Sequence, residues 1–323
     1  MHSKIAALEY QLPAGVLTNA AIEADFPEWK AAKVEKKVGI RQRHIAAPAE
    51  TSQDLAVAAA EKLLAYTYPE SVDFLLFCTQ SPDQLLPTSA CEIQRRLGLR
   101  QDIGALDFNL GCSGYVYGLA LAKSLVNSGF CRNVLLLTGE TYSKFIAADD
   151  VSNRSIFGDA GSATLVSEAE VPGIGEFVLG TNGAGASNLS VSQPCARNGY
   201  LYAAGERPKL YMNGPEIFNF TIETIPPLVS QTLKKNGLRM EELDYVILHQ
   251  ANKYILEFLI SQMGIDPARC HIDMLNYGNT VSNTLPIALK DSLDKGLVSK
   301  GDKVLLAGFG VGYSWGATVV EIN

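Results

Sequence analysis

What most constrains the fold of this chain is a pattern of strands and helices that occurs twice. Around residue 73 the sequence reads VDFLLFCTQS, SACEIQRRLGL and IGALDFNLGCSG, then the helical stretch YVYGLALAKSLVNSG and the apolar run NVLLLTGE. Around residue 244 it reads LDYVILHQAN, KYILEFLISQMGI and CHIDMLNYGNT, then LPIALKDSLDKG and KVLLAGFG. Asp73 and Asp244 stand 171 positions apart, and Val134 and Val304 stand 170 apart. Each stretch closes on a short apolar strand, GSATLV at 161–166 and GATVV at 316–320. Short apolar runs alternating with amphipathic helical stretches predict an α/β fold. The period is far too long for a solenoid, so it points to duplication of a whole domain. The predicted halves are 1–167 and 168–323, packed about an approximate two-fold axis. Their equivalent loops would face one crevice at the C-terminal ends of parallel strands. The Gly-, Ser- and Asn-rich segment 183–200 predicts a loop inserted near the start of the second half.

Composition narrows the classes. With 323 residues, 47% hydrophobic and 19% charged, the chain can bury one large core or two fused ones, and it is not disordered, collagenous or coiled coil. Its longest apolar runs, VLLL at 134–137 and VLLAGFGVG at 304–312, are too short to cross a membrane. The opening MHSKIAALEYQLPAG lacks the pattern of a signal peptide and reads as a first strand and turn, so the expected location is cytoplasmic. A net charge of −7 argues against a general nucleic-acid binder. The basic stretch AKVEKKVGIRQRH (32–44) reads as a solvated basic helix followed by a strand. Six cysteines without a CxxC pair predict free thiols, five of them small core residues.

The sixth is Cys112. It follows the strand IGALDFNLG and precedes a helix running through Leu119, Ala122 and Val126. A thiol at a helix N-terminus meets unpaired N–H groups and the positive end of the dipole, which favours thiolate. Gly111 and Gly114 permit a sharp turn and close approach of a substrate. Of four histidines, His2 is terminal, His44 lies in the basic segment and His271 begins the apolar run HIDML, read as a strand. His249 ends the strand DYVIL ahead of a helix opening at Asn252 or Lys253, at the repeat position of Cys78. Asn279, in NYGNTVSN, lies on the second-half counterpart of the Cys112 loop. A thiol, an imidazole and a carboxamide thus sit on equivalent strand-end loops. The glycines of GFGVGYSWG (308–316) can bring a backbone N–H to a developing oxyanion, with that of Cys112 as second donor. IFGDAGSA (156–163) matches no phosphate-binding glycine pattern.

At these residues the chain resembles the β-ketoacyl-acyl carrier protein synthases III, thiolase-fold condensing enzymes. The matching segments are GIRQRHIAAPAET (39–51), LPTSACEIQRRLG (86–98), LGCSGYVYGL (110–119), IFGDAG (156–161), HQAN (249–252), GNT (278–280) and GFGVGYSWGA (308–317). The resemblance implies a five-layer αβαβα fold, a homodimer, and acyl-CoA and acyl carrier protein as partners, with no metal or resident cofactor. Cys112 would carry an acyl group from acyl-CoA, and His249 and Asn279 would stabilise the enolate formed as malonyl-carrier protein loses CO₂. Cys112 and Val311 would supply the oxyanion-hole N–H groups. Phe157, Met212, Phe218, Asn252 and Gly310 would contact substrate, and Leu86 would reach the partner's acyl pocket. The chain departs from the family on the donor side. Trp29 lies too far upstream and Lys37 replaces an arginine of the nucleotide site. Lys253 and Tyr254 stand where the helix after HQAN offers an arginine, and Pro215 stands where an asparagine is frequent. An alternative is a specialised acyltransferase of secondary metabolism with a non-malonyl acceptor. A Cys–His–Asn hydrolase lacks its local sequence pattern here, and a non-catalytic subunit would be expected to lose one of the three residues.

Overall fold

The computed structural model describes residues 1–192 and 209–323. The near-continuous apolar runs FLLFC and NVLLLTGE become strands β4 (Phe74–Cys78) and β6 (Asn133–Glu140), almost wholly buried. That is the signature of central strands covered on both faces. They pair in parallel, and β4 pairs in parallel with β5 (Gly104–Phe108) on its other side. β7 (Ala160–Ala169) runs antiparallel to β6, and β1 (His2–Gln11) antiparallel to β7, giving the order β1-β7-β6-β4-β5. The second half repeats this with β8 (Val178–Thr181), β11 (Tyr245–Leu248), β12 (Lys303–Gly310) and β13 (Ser314–Glu321), in the order β8-β13-β12-β11. Two two-stranded antiparallel sheets stand apart from these: β2 (Gly15–Thr18) with β3 (Gln42–Ile45), and β9 (Leu189–Ser192) with β10 (Lys209–Met212).

Helices form the other layers. α3 (Ser52–Leu64) opens on a capping box between Thr51 and Asp54, and with α4 (Ser89–Arg96) it covers the outer face of the first sheet. α5 (Gly114–Asn127) and α9 (Thr284–Asp294) lie between the two sheets, in a core that draws on Leu76, Leu136, Ile247 and Leu306 from both. α7 (Gly214–Lys235) and α8 (Lys253–Met263) cover the outer face of the second sheet. The result is the expected five layers. The short α1 (Asn19–Asp25), α2 (Ala31–Val38) and α6 (Val151–Arg154) decorate the edges.

Four readings of the sequence change in detail. HIDML forms no strand; a single bridge joins Cys270 to Val246, and the Gln250 side chain then satisfies the backbone at His271 and Asp273 in place of a ladder. The described part of the 183–200 segment is not plain loop. It forms a 3₁₀ turn over Gly183–Asn188 and then β9, in which the alternation of LSVS buries Leu189. Positions 193–200, Cys195 among them, lie outside the described residues. Cys91 is exposed, because α4 buries Ser89, Ala90 and Ile93 and position 91 falls off that stripe. In the basic segment α2 buries none of its residues, but Arg43 on β3 is fully buried, bonded to the Leu17 and Ser155 carbonyls and to Asn19 Oδ1. The division drawn at 167/168 falls in the last residues of β7; the chain joins the second sheet at β8.

Candidate active site

The strand-end loops meet at the C-terminal ends of β4, β11 and β5. Cys112 lies in the turn between β5 and α5, closed by Gly114 N–H donating to the Gly111 carbonyl at 2.7 Å. This turn is packed too tightly for side chains. A Cβ on Gly114 would lie 2.3 Å from Cys78 Sγ, and one on Gly310 would lie 3.0 Å from Cys112 Sγ. Gly310 therefore lets the β12 end pass against the thiol, which brings the Val311 N–H onto the sulfur. The backbone N–H groups of Cys112 and Val311 both favour negative charge on the Cys112 sulfur. They are the same two N–H groups that the sequence named as candidates for an oxyanion hole, and both act on the sulfur.

The expectation of a ready thiolate does not hold for the free site. Burial pushes the Cys112 thiol up to about 12, Glu140 adds to the rise, and the two N–H groups only partly oppose it. Desolvation outweighs the helix end here because the sulfur is almost sealed from water. His249 is driven the other way, down to about 3, by burial alone. Both groups are neutral at pH 7.

His249 follows directly from β11, its N–H donating to the Ala307 carbonyl of β12. Its ring packs edge-on to Phe309, and Nδ1 is bonded to Thr284 Oγ1 at 2.7 Å. Asn279 is held by backbone bonds on both sides. Its N–H donates to the Ile156 carbonyl, and its carbonyl accepts from Gly158 N–H. Its side-chain Oδ1 accepts from Val281 N–H at 2.9 Å, which leaves the Nδ2 donors for the cavity. Val281 sits at φ 58°, the sole non-glycine positive φ among the described residues. A buried, β-branched residue adopts that region only where its surroundings impose it.

Cys112, His249 and Asn279 line one cavity of about 150 Å³, together with Phe157, Met212, Asn252 and Gly310. Asn252 also caps α8, its Oδ1 accepting from Ile255 N–H. One of the expected contacts lies elsewhere in this chain. Phe218 does not line the cavity but stacks on Tyr254 and packs against Phe258. Its neighbours Ile217 and Thr221, one turn apart on α7, take the inward face. Leu86 stands on the loop before α4, 85% exposed and outside the cavity lining. Leu189, Ile156, Ile255 and Phe309 also line the wall and were not singled out from sequence. The alternation of LSVS would have found Leu189; nothing local distinguishes the others. Lys37 lies over the Tyr254 ring at 5.9 Å, so two of the departures from the family pattern touch each other.

Comparisons with known proteins agree with this geometry. Residues 106–183 match the family model for 3-oxoacyl-[acyl-carrier-protein (ACP)] synthase III, and residues 233–322 match that for its C-terminal part. The chain is 34% identical to a β-ketoacyl-[acyl-carrier-protein] synthase III of Caldanaerobacter subterraneus subsp. tengcongensis, over 96% of this chain and 95% of that one. It is 36% identical to the one of Deinococcus deserti, over 98% and 90%. A crystal structure of a 3-oxoacyl-(acyl-carrier-protein) synthase III superposes with a TM-score of 0.95 at 44% identity, covering 100% of both chains. Sequence, fold and cavity agree: this chain belongs to the 3-oxoacyl-[acyl-carrier-protein] synthase III family.

Proposed function

We propose that the chain joins an acyl group to malonyl-acyl carrier protein with loss of CO₂, giving a β-ketoacyl thioester for fatty acid biosynthesis. The observation that carries this is the convergence of Cys112, His249 and Asn279 on one small cavity, with two backbone N–H groups aimed at the sulfur. In the first half-reaction the Cys112 sulfur attacks the carbonyl of an acyl-CoA. The oxyanion takes the Cys112 and Val311 N–H groups, and the CoA sulfur leaves with a proton. In the second, the bond from the malonyl carboxylate carbon breaks, CO₂ departs, and the electron pair becomes an enolate beside Asn279 and His249. The enolate carbon attacks the acyl thioester and releases Cys112. The names of the curated relatives support a malonyl acceptor over a non-malonyl one.

A homodimer fits the edge of the first sheet. β5 is the last strand, paired on one side only, and Leu106 on it is 40% exposed. Leu85 and Leu86 project from the adjoining loop, so a second copy would cover all three and bring Leu86 toward the partner's acyl pocket. Among the described residues no helix is long and apolar enough to cross a membrane; a cytoplasmic location is in keeping with carrier-protein substrates. Intact-mass spectrometry after mixing with a panel of acyl-CoAs tests the reading. One acyl adduct is expected, absent in Cys112→Ala; no adduct with any donor, or an adduct on the variant, refutes it.

A further inference from the structure

Val311, which carries the second N–H of the proposed oxyanion hole, stands between two glycines, Gly310 and Gly312. Gly312 sits at φ 138°, so this stretch of backbone has little stiffness of its own. Two serines 201 positions apart close over it. Ser314 Oγ lies 3.2 Å from the Val311 carbonyl oxygen and 2.5 Å from Ser113 Oγ. A carbonyl only accepts, so the Ser314 hydrogen points to Val311 and the Ser113 hydroxyl donates to Ser314. Among the described residues no backbone N–H is bonded to that carbonyl. Ser113 directly follows Cys112 and stands at the N-cap of α5, where a serine hydroxyl usually accepts from the first helical N–H groups. It makes no such bond here and reaches across to β13 instead. The backbones meet as closely, since a Cβ on Gly308 of β12 would lie 3.0 Å from Ser113 Cα. Both serines are buried, so water cannot readily replace the link. Tyr313, beyond Gly312, is fixed separately by a pair of backbone bonds with Asn182.

From this geometry we infer that Ser113 and Ser314 are positioning residues. Their linked hydroxyls clamp the Val311 peptide to the Cys112 turn and so hold the Val311 N–H at the reacting centre. The inference rests on the reaction proposed above and says which of its steps feel the clamp. When the Cys112 sulfur attacks the donor carbonyl, the C=O electron pair moves onto oxygen, and the two N–H groups receive that charge. The same charge forms again when the enolate carbon attacks the acyl-enzyme carbonyl. Loss of CO₂ places its charge beside Asn279 and His249 and does not use the Val311 N–H. That N–H also favours charge on the free sulfur, so the clamp bears on the thiol before any substrate arrives.

Ser314→Ala and Ser113→Ala each cut the link. In single turnover either should slow Cys112 acylation by about tenfold, less than the usual loss when such a donor is removed outright. Half-saturation by acyl-CoA should stay within roughly threefold of wild type. Once acylated, the variants should release CO₂ from malonyl-carrier protein within roughly threefold of wild type, yet form the β-ketoacyl product about tenfold more slowly. Because the hydroxyls act as one link, the double variant should be no slower than either single one. Acylation at the wild-type rate, equal losses in acylation and CO₂ release, or losses that multiply in the double variant overturn the inference. If Ser314→Ala does not fold, Ser113→Ala cuts the same link from the other side and decides. Alkylation of Cys112 by iodoacetamide needs no acyl donor and should be about threefold or more slower in either variant. A wild type that accepts no acyl group refutes the proposed reaction alone. The alkylation rates then decide the clamp, and equal rates overturn it.

Discussion

At the scale of the residue, the site is built from groups that are uncharged until substrate arrives. Burial lifts the thiol and lowers the imidazole, so no thiolate–imidazolium pair stands ready in the free cavity. Asn279 adds hydrogen-bond donors without charge, and its orientation is fixed by one backbone bond from Val281. Asn279→Ala should therefore still form the acyl-enzyme but lose CO₂ release by about a hundredfold, the usual cost of removing one donor from developing charge. Mass spectrometry reads the first and labelled CO₂ the second; undiminished CO₂ release would remove Asn279 from that role. These three side chains were legible in the sequence because each ends a strand of a recognisable repeat. Phe218 was not placed correctly, because one residue along a helix turns the side chain by about 100°. Resemblance selects the turn of α7, while packing selects Ile217 and Thr221 over their neighbour.

At the scale of the element, the duplicated sheets differ at one edge. The first sheet ends on β5, a full strand, whereas the second has only the Val246–Cys270 bridge at the equivalent place. An unpaired strand edge with an exposed leucine is a template for another chain. Leu106→Lys is expected to shift a dimer toward monomer in light scattering after size-exclusion chromatography. An unchanged mass would place the dimer contact elsewhere. The strands themselves were readable from their apolar runs. HIDML misled because apolar content alone does not make a strand. It also needs a neighbouring backbone to pair with, and the Gln250 side chain took those bonds instead.

At the scale of the whole molecule, the two halves are joined across a buried carboxyl. Glu140, at the end of β6, accepts from Gln80 N–H and Ser81 Oγ in the first half and from Ser282 Oγ in the second. Among the described residues no cation is paired with it, and burial pushes it from 4.5 to about 8. The folded chain therefore holds this proton where the unfolded chain has lost it. Stability from this group is fully present below about 4.5 and declines as pH rises through about 8. His249 acts in the opposite sense, losing stability as pH falls below 6.5 toward about 3. Comparing Glu140→Gln with wild type cancels the histidine. The melting temperature of wild type relative to the variant should fall between pH 5 and 8, roughly the window of the carboxyl; a difference independent of pH would contradict it.

The sequence by itself determined the duplication, the layered α/β architecture and the three candidate side chains that meet in one cavity. Apolar runs, glycine punctuation and strand-end position are local properties, repeated at a fixed distance. Only the tertiary structure decided how deeply the thiol and the imidazole are buried and which wall residues face the cavity. Each of these depends on desolvation and on contacts between segments far apart in the chain. Thr284 against His249, Gly310 against Cys112 and Glu140 against Ser282 are such pairs, and no local pattern encodes them.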